Sequence, residues 1–202
     1  MKLFKVNTIK NNFNVNYVYD YISKDKVKTD KGLFIKMCET GCINYNKKYS
    51  CPPFSPDFYS FSRDFDGLFV VLFFVNLDQI KSTEYNKVRI ANVVMKSKIN
   101  MLMRDLEVKF KTKFLSTGSC NLCKLCKCKL KLPCKYPDKK RYSLESVGVD
   151  CNKLSEELFG FKLLWYKEKN APKYTTVVCG LLCNKKDVAQ IKGYLDNYDF
   201  SS

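Results

Sequence analysis

The sequence predicts a mixed α/β (α+β) fold, and three observations lead to this expectation. The apolar run GLFVVLFFV, at Gly67–Val75, is typical of a strand buried on both faces. Between Glu84 and Lys111, apolar residues recur at spacings of three and four, which indicates one long amphipathic helix. Short strand and helix patterns alternate in the second half of the chain. We expect a single metal-binding domain over residues 1–202, a sandwich of a mixed sheet and helices with cysteine-rich loops at one end.

Shorter elements complete the predicted order. Phe114–Leu115 is expected to form a short strand that leads into a cysteine-rich loop. A helix is predicted at Asn152–Phe159 and should end at Gly160, because glycine readily adopts the left-handed conformation that closes a helix. Two closing strands are predicted at Lys162–Lys167 and Thr175–Cys183, with a turn between them.

The amino-acid composition indicates where in the cell the protein resides and whether its cysteines form disulfides. Hydrophobic residues make up 46% of the chain, which is enough to bury a core. The longest apolar run is about half of the ~20 residues that a membrane helix needs, and no signal peptide is evident. We therefore expect a cytoplasmic protein without membrane segments. Because that compartment is reducing, the eleven cysteines are not expected to form a disulfide framework.

The chain contains no histidine, which narrows the possible chemistry. A tightly held soft metal must be bound by thiolates, either alone or together with a carboxylate. Four-cysteine zinc sites and iron–sulfur clusters remain possible, whereas mixed cysteine–histidine fingers and histidine-based catalytic zinc do not. Histidine acid–base catalysis and serine–histidine triads are excluded for the same reason.

The formal charge of +16 bears on the partner. A strongly basic chain is typical of proteins that bind nucleic acid, an anionic surface or an acidic protein. Lysine and asparagine are abundant throughout, however, so the charge could equally be a compositional bias spread over the whole surface. Nucleic acid is therefore kept as an alternative partner.

The loop at about residues 118–142 holds the most informative motif. Three of its cysteines follow the spacing C-x-x-C-x-x-C: Cys120, Cys123 and Cys126. This spacing suits one cuboidal 4Fe–4S cluster, since each thiolate can reach a different iron, whereas zinc knuckles generally use two separated pairs. Cys134 is the favoured fourth ligand. Cys128 competes but has little chain in which to reach the last iron, and Cys51, which precedes a proline, is the remote candidate.

A second set of cysteines lies near the N-terminus: Cys38, Cys42 and Cys51. Three thiolates could hold a second 4Fe–4S cluster with one iron open to a ligand. They could instead hold zinc, with water or Glu39 in the fourth position. In a third interpretation, one of them completes the first cluster and the others are idle. The Cys51-Pro52-Pro53 segment should form a rigid extended turn.

Two further features have simpler explanations. Cys151 should open a helix, and Cys179 and Cys183 should alternate with apolar residues in a strand, so all three are expected to be small core residues. The basic trio at 139–141 precedes Ser143, which could cap a short helix. The same trio could instead tune a nearby cluster or dock an acidic electron donor.

Together these motifs resemble the predicted metal-binding protein family of anaerobic archaea and bacteria, known as domain of unknown function 2284. The pattern is C-x-x-x-C-x8-C-P-P, then G-x-C-x-x-C-x-x-C-x7-C-x-x-P-D-x-x-R-x-S-x-E-x-x-G-x-D, over about residues 38–183. Outside the cysteines and the first two prolines, the matching positions are Gly118, Pro137, Asp138, Arg141, Ser143, Glu145, Gly148 and Asp150. Lys135 and Tyr142 depart from the expected arginine and proline. The resemblance implies metal or iron–sulfur binding and no particular reaction.

The sequence thus predicts a cytoplasmic iron–sulfur protein of anaerobic metabolism with one or two 4Fe–4S clusters. It would act in electron transfer or in small-ligand chemistry at an open cluster iron, with an acidic redox protein or a small molecule as its partner. The alternative is a zinc-stabilised basic module that binds nucleic acid.

Overall fold

The computed structural model describes residues 1–200 and is built on one five-stranded sheet. The strands are β1 (Lys2–Asn7), β2 (Asn12–Ser23), β3 (Gly67–Asn76), β4 (Lys113–Leu115) and β5 (Tyr174–Cys183). Their spatial order is β1-β2-β3-β5-β4, and every neighbouring pair is antiparallel. The predicted mixed α+β class is confirmed, but the expected mixed sheet is wrong, because all four strand pairs are antiparallel.

Five α-helices accompany the sheet. They are α1 (Lys31–Gly41), α2 (Phe58–Phe61), α3 (Glu84–Phe110), α4 (Cys151–Phe159) and α5 (Val188–Asp196). The predicted stripe of α3 faces the core, and its buried members are Ala91, Met95, Ile99, Leu102, Met103 and Leu106. No helix within residues 1–200 is both long enough and apolar enough to cross a membrane.

The central strand β3 explains the apolar run in the sequence. Its residues alternate between two cores, because successive side chains of a strand point to opposite faces. Phe69, Phe73 and their same-face neighbours pack with α3 and α5. Leu68 and Val70 pack on the other face with α2, α4 and the turn around Val147. The sheet is therefore covered by helices on both sides.

One predicted strand is wrong: Lys162–Lys167 is irregular. Its polar groups bond outside the sheet, since the Leu163 N–H donates to Asn152 Oδ1 at 3.0 Å. The Lys162 carbonyl accepts from the Tyr174 hydroxyl at 2.9 Å. The backbone of this segment is thus bonded to side chains of α4 and β5 instead of pairing as a strand.

Candidate metal centre

The segment 117–141, which contains the C-x-x-C-x-x-C motif, starts and ends at the same edge of the sheet. Ser116 follows β4, and its N–H donates to the Tyr142 carbonyl at 2.7 Å. An isolated bridge also joins Ser116 to Ser143. The base of the loop is therefore closed on the sheet edge, and residues 117–141 extend from a fixed position.

Four cysteines of this loop line one small pocket: Cys120, Cys123, Cys126 and Cys134. These are the four residues predicted as ligands of a cluster. The competitor Cys128 does not line the pocket; it lies in a 3-10 helix, Lys127–Leu130, and is buried. Burial raises the pKa of the Cys128 thiol, and the nearby Cys126 raises it further.

Helix α1 positions two thiols of the second set. The helix begins after Asp30, whose side chain accepts a hydrogen bond from the Leu33 N–H at 2.8 Å. Cys38 lies in the last turn, and the N–H of Cys42 donates to the Cys38 carbonyl at 3.0 Å. Cys42 is the C-cap of the helix, so the end of α1 places the two thiols close enough for Cys42 to raise the pKa of Cys38.

A tight turn positions the third thiol, Cys51. The Cys51 carbonyl accepts from the N–H groups of Phe54, at 3.0 Å, and Ser55, at 3.2 Å. Its side chain is buried, with the Ser50 hydroxyl 3.7 Å from the Cys51 sulfur. The prolines thus lie in a tight turn, not in the extended one expected, and this turn positions Cys51.

The pKa shifts of Cys38 and Cys51 reflect both their burial and the neighbouring thiols. Burial raises the pKa of Cys38, and the Cys42 and Cys51 thiols raise it further. Burial also raises the pKa of Cys51, against the lowering effect of the Ser50 hydrogen bond, and both Cys42 and Cys126 add to the rise. Cys51 is therefore within electrostatic reach of both cysteine sets. A bound cation would offset the cost of ionising these thiols.

Lys31 joins the parts of the second set. Its ammonium donates to the Ser55 hydroxyl at 2.8 Å, the Ser55 carbonyl at 3.0 Å and the Pro56 carbonyl at 3.1 Å. It also donates to the Ser146 carbonyl. One cation thereby ties the start of α1 to the turn after Cys51 and to the turn around residue 146. Burial lowers the pKa of Lys31, while the negative side chain of Asp57 opposes that effect.

Lys48 and Ser50 join the second set to the long loop. The Lys48 ammonium donates to Ser119 Oγ at 2.9 Å, to the Cys120 carbonyl at 3.0 Å and to Asn121 Oδ1 at 2.9 Å. The Ser50 hydroxyl accepts the N–H of Cys120 at 3.0 Å. The sequence analysis did not identify Lys31, Lys48 or Ser50. Lysine and serine are common residues, so the sequence alone does not distinguish these three from their neighbours.

The turn at 141–150 supports both cysteine regions. Arg141 forms an ion pair with Glu107 on α3. Ser143 Oγ accepts the N–H of Ser146 at 3.1 Å, but the N-cap of the short 3-10 helix Glu145–Val147 is Leu144, which has no side-chain cap, so Ser143 steadies the turn without being the predicted cap. The Asp150 side chain accepts the first N–H groups of α4. These polar residues of the motif thus have structural roles.

Glycine is required at one position of this turn. Gly148 has φ of 95°, a conformation that other residues rarely adopt. A Cβ atom at Gly148 would lie 2.9 Å from the Lys31 Cα. The Gly148 carbonyl also accepts the N–H of Asp30 at 2.8 Å, so the start of α1 packs directly on this turn.

The remaining predicted core cysteines are confirmed. Cys151 begins α4, Cys179 and Cys183 lie in β5, and all three are buried. Burial raises the pKa of each thiol, to about 12 for Cys183. The Glu145 carboxylate adds to the shift at Cys151 and also raises the pKa of Cys38.

The seven predicted ligands are near one another, but they do not form a finished coordination sphere. Within residues 1–200, no three cysteine, aspartate or glutamate side chains are arranged closely enough to hold a metal ion as they stand. The structure brings four thiols to one pocket, while Cys42 and Cys51 both influence the pKa of Cys38, and Cys126 influences that of Cys51.

A mixed α+β scaffold that gathers thiols in this way, with no histidine in the chain, defines a cysteine-rich metal-binding protein. The chain belongs to the family of predicted metal-binding proteins, domain of unknown function 2284, whose model matches residues 20–182. No curated protein and no solved structure matches the chain significantly.

Proposed function

We propose that this metal-binding protein is an iron–sulfur protein in which Cys120, Cys123, Cys126 and Cys134 hold a 4Fe–4S cluster. The observation that carries the proposal is the shared pocket, which all four thiols line and Cys128 does not. The donor set fits the group, since such clusters are bound by four cysteine thiolates. When bound, the cluster would supply one-electron transfer.

The second set is proposed to form its own site, with a coordination position that the protein does not fill. Cys38, Cys42 and Cys51 are one thiol short of a closed set, and the nearby Cys126 is assigned to the first cluster. The Lys31 hydrogen bonds hold α1 against the turn after Cys51, as a preorganised site requires. An open iron there would accept a small ligand from solution.

The biological role that follows is electron transfer, or small-ligand chemistry at the open iron, in the cytoplasm of an anaerobe. All the predicted ligands except the buried Cys51 are partly exposed, so electrons and ligands can approach from the surface. The absence of histidine favours this role over hydrolytic chemistry, which usually needs a general base near neutral pH.

The test is anaerobic purification followed by analysis of iron, acid-labile sulfide and zinc. We expect brown protein with iron and sulfide in equal amounts. A matched pair of variants locates the first cluster: Cys134→Ser should lose it, and Cys128→Ser should keep it. The triple serine variant of Cys38, Cys42 and Cys51 should lose only the second site. Colourless protein with stoichiometric zinc would refute the proposal.

One observation favours a second candidate, a zinc-stabilised module that binds nucleic acid. Residues 108–137 contain eight lysines and no acidic residue. Basic stretches of this kind attract phosphates, and such binding weakens steeply with salt. Zinc without sulfide, together with salt-sensitive binding of single-stranded DNA, would support this candidate over the first.

A further inference from the structure

The loop that carries the four pocket cysteines has an unusual surface. Between residues 118 and 137 it contains five lysines and no aspartate or glutamate: Lys124, Lys127, Lys129, Lys131 and Lys135. All but Lys127 are exposed. We call this segment, residues 118–137, the cysteine loop.

Within residues 1–200, no lysine of the cysteine loop forms an ion pair. In this part of the chain, the only ring contact of a cysteine-loop lysine places the Lys135 ammonium 5.2 Å from the centre of the Tyr136 ring. The loop therefore presents a concentrated positive potential, which attracts acidic partners over about 10 Å in 0.1 M salt.

Leucines alternate with these lysines. Four of them are exposed, by 39% to 52% of their surface: Leu122, Leu125, Leu130 and Leu132. Single exposed leucines are common, but four within one short loop are not, and we call these four side chains together the apolar patch. Leu122 also lines the cysteine pocket, so the patch borders the proposed cluster site.

We propose that the cysteine loop is the docking surface for an acidic protein partner. The leucines would form the apolar centre of the contact, and the lysines would face carboxylates at its rim, as in many transient interfaces. The docking role rests on the proposed function, because the partner would serve the metal site beside the patch. The charge complementarity itself does not depend on which metal is bound.

The observations favour a protein over nucleic acid or a lipid surface. Single-stranded nucleic acid is usually bound on exposed aromatic rings, whereas the exposed apolar residues of the cysteine loop are leucines. Binding in a lipid interface generally uses a long amphipathic helix. The cysteine loop has only the four-residue 3-10 helix Lys127–Leu130.

The first test measures binding to two acidic electron carriers, a plant-type ferredoxin and a flavodoxin, by calorimetry at low and high salt. The triple variant Lys124→Glu/Lys129→Glu/Lys131→Glu should weaken binding at low salt by about ten- to a hundredfold. The corresponding glutamine variant should weaken it less, in the same direction. Iron content and the unfolding midpoint of each variant show whether the loop is intact.

The matched control changes the same charge elsewhere. Lys5 and Lys10 lie at the β1 end of the sheet, opposite the β4 edge that leads to the cysteine loop, and Lys81 lies before α3. Glutamate at these three exposed positions should leave affinity within about threefold of the unmodified protein, because general surface charge is screened. Equal weakening by both triple variants would refute a localised docking surface.

The leucines are tested separately with Leu125→Ser/Leu130→Ser. This variant should lower affinity at every salt concentration while keeping the salt dependence, because it removes apolar contact and no charge. An unchanged affinity would show that the leucines do not form the centre of the contact, and would overturn the proposal as stated.

The outcomes also separate this inference from the proposed function. Failure of the iron-loaded protein to bind either carrier at low salt would overturn the docking surface and leave the cluster proposal intact. Binding to single-stranded DNA or phosphatidylglycerol vesicles, without binding to the carriers, would overturn it as well. Binding with the expected variant pattern in protein that holds no iron would support the surface and refute the cluster.

Discussion

Substitution Lys31→Met tests whether one cation holds the second cysteine set together. Methionine keeps the approximate length of the side chain and removes its charge. The Ser55 and Pro56 carbonyls would lose the Lys31 ammonium, while the Ser146 carbonyl would keep the Ser55 hydroxyl as a donor at 2.6 Å. An acceptor left without a partner costs about 1–3 kcal/mol when buried. Relief from burying the charge offsets part of that loss, so we expect destabilisation of about 2–4 kcal/mol.

The assay is urea unfolding of the metal-free protein, with Lys36→Met as the control. Lys36 is exposed on the same helix, α1, and its substitution should change the free energy of unfolding by less than about 0.5 kcal/mol. Metal analysis should show that Lys31→Met lowers the metal content of the second cysteine set more than that of the pocket lined by Cys120, Cys123, Cys126 and Cys134. Equal unfolding free energies for the two methionine variants would refute the reasoning.

Three further predictions concern other parts of the scaffold. Gly148→Ala should destabilise the protein by about 2–4 kcal/mol in urea unfolding, because it combines strained φ with a clash at Lys31; an unchanged midpoint would contradict this. Stability should fall as pH rises from 9 towards 12, since the raised pKa keeps Cys183 protonated in the folded state while it ionises in the unfolded chain. Cys183→Ala should reduce that slope by up to about 1.4 kcal/mol per pH unit in unfolding measured across the range. Arg141→Met should lower the midpoint more than Arg63→Met, because Arg141 pairs with the largely buried Glu107 whereas the Arg63 pair is exposed.

The sequence was informative where one physical effect dominated. Helix α3 and strand β3 were predicted almost to the residue, because burial imposes a clear period on their side chains. The hairpin β1–β2 was not predicted, since many of its side chains are polar or only half-buried. Helix α1 was missed because it has no buried residues and therefore no apolar stripe.

The spacing of the cysteines predicted the pocket, but nothing in the sequence predicted the lysine contacts that hold the surrounding segments together. Four thiols at the intervals of a cluster motif predicted a common site, and the structure places them around one pocket. The contacts of Lys31 and Lys48 join segments that are far apart in the chain. Such contacts depend on the tertiary fold, so no local sequence pattern predicts them. The strand predicted at 162–167 failed for a related reason, because its backbone bonds to the side chains of Asn152 and Tyr174, which the local pattern does not reveal.

The pairing of β3 with β5 imposes an order of events during synthesis. In the register of these two strands Gly67 lies opposite Cys183, and the whole cysteine loop lies between the strands along the chain. The four pocket thiols therefore leave the ribosome before the strand that completes the sheet. At about 5–20 residues per second, the chain from Cys134 to Cys183 takes about 2–10 seconds to make. In that interval the thiols are presented on an incomplete scaffold, so we expect the finished sheet to precede stable metal loading.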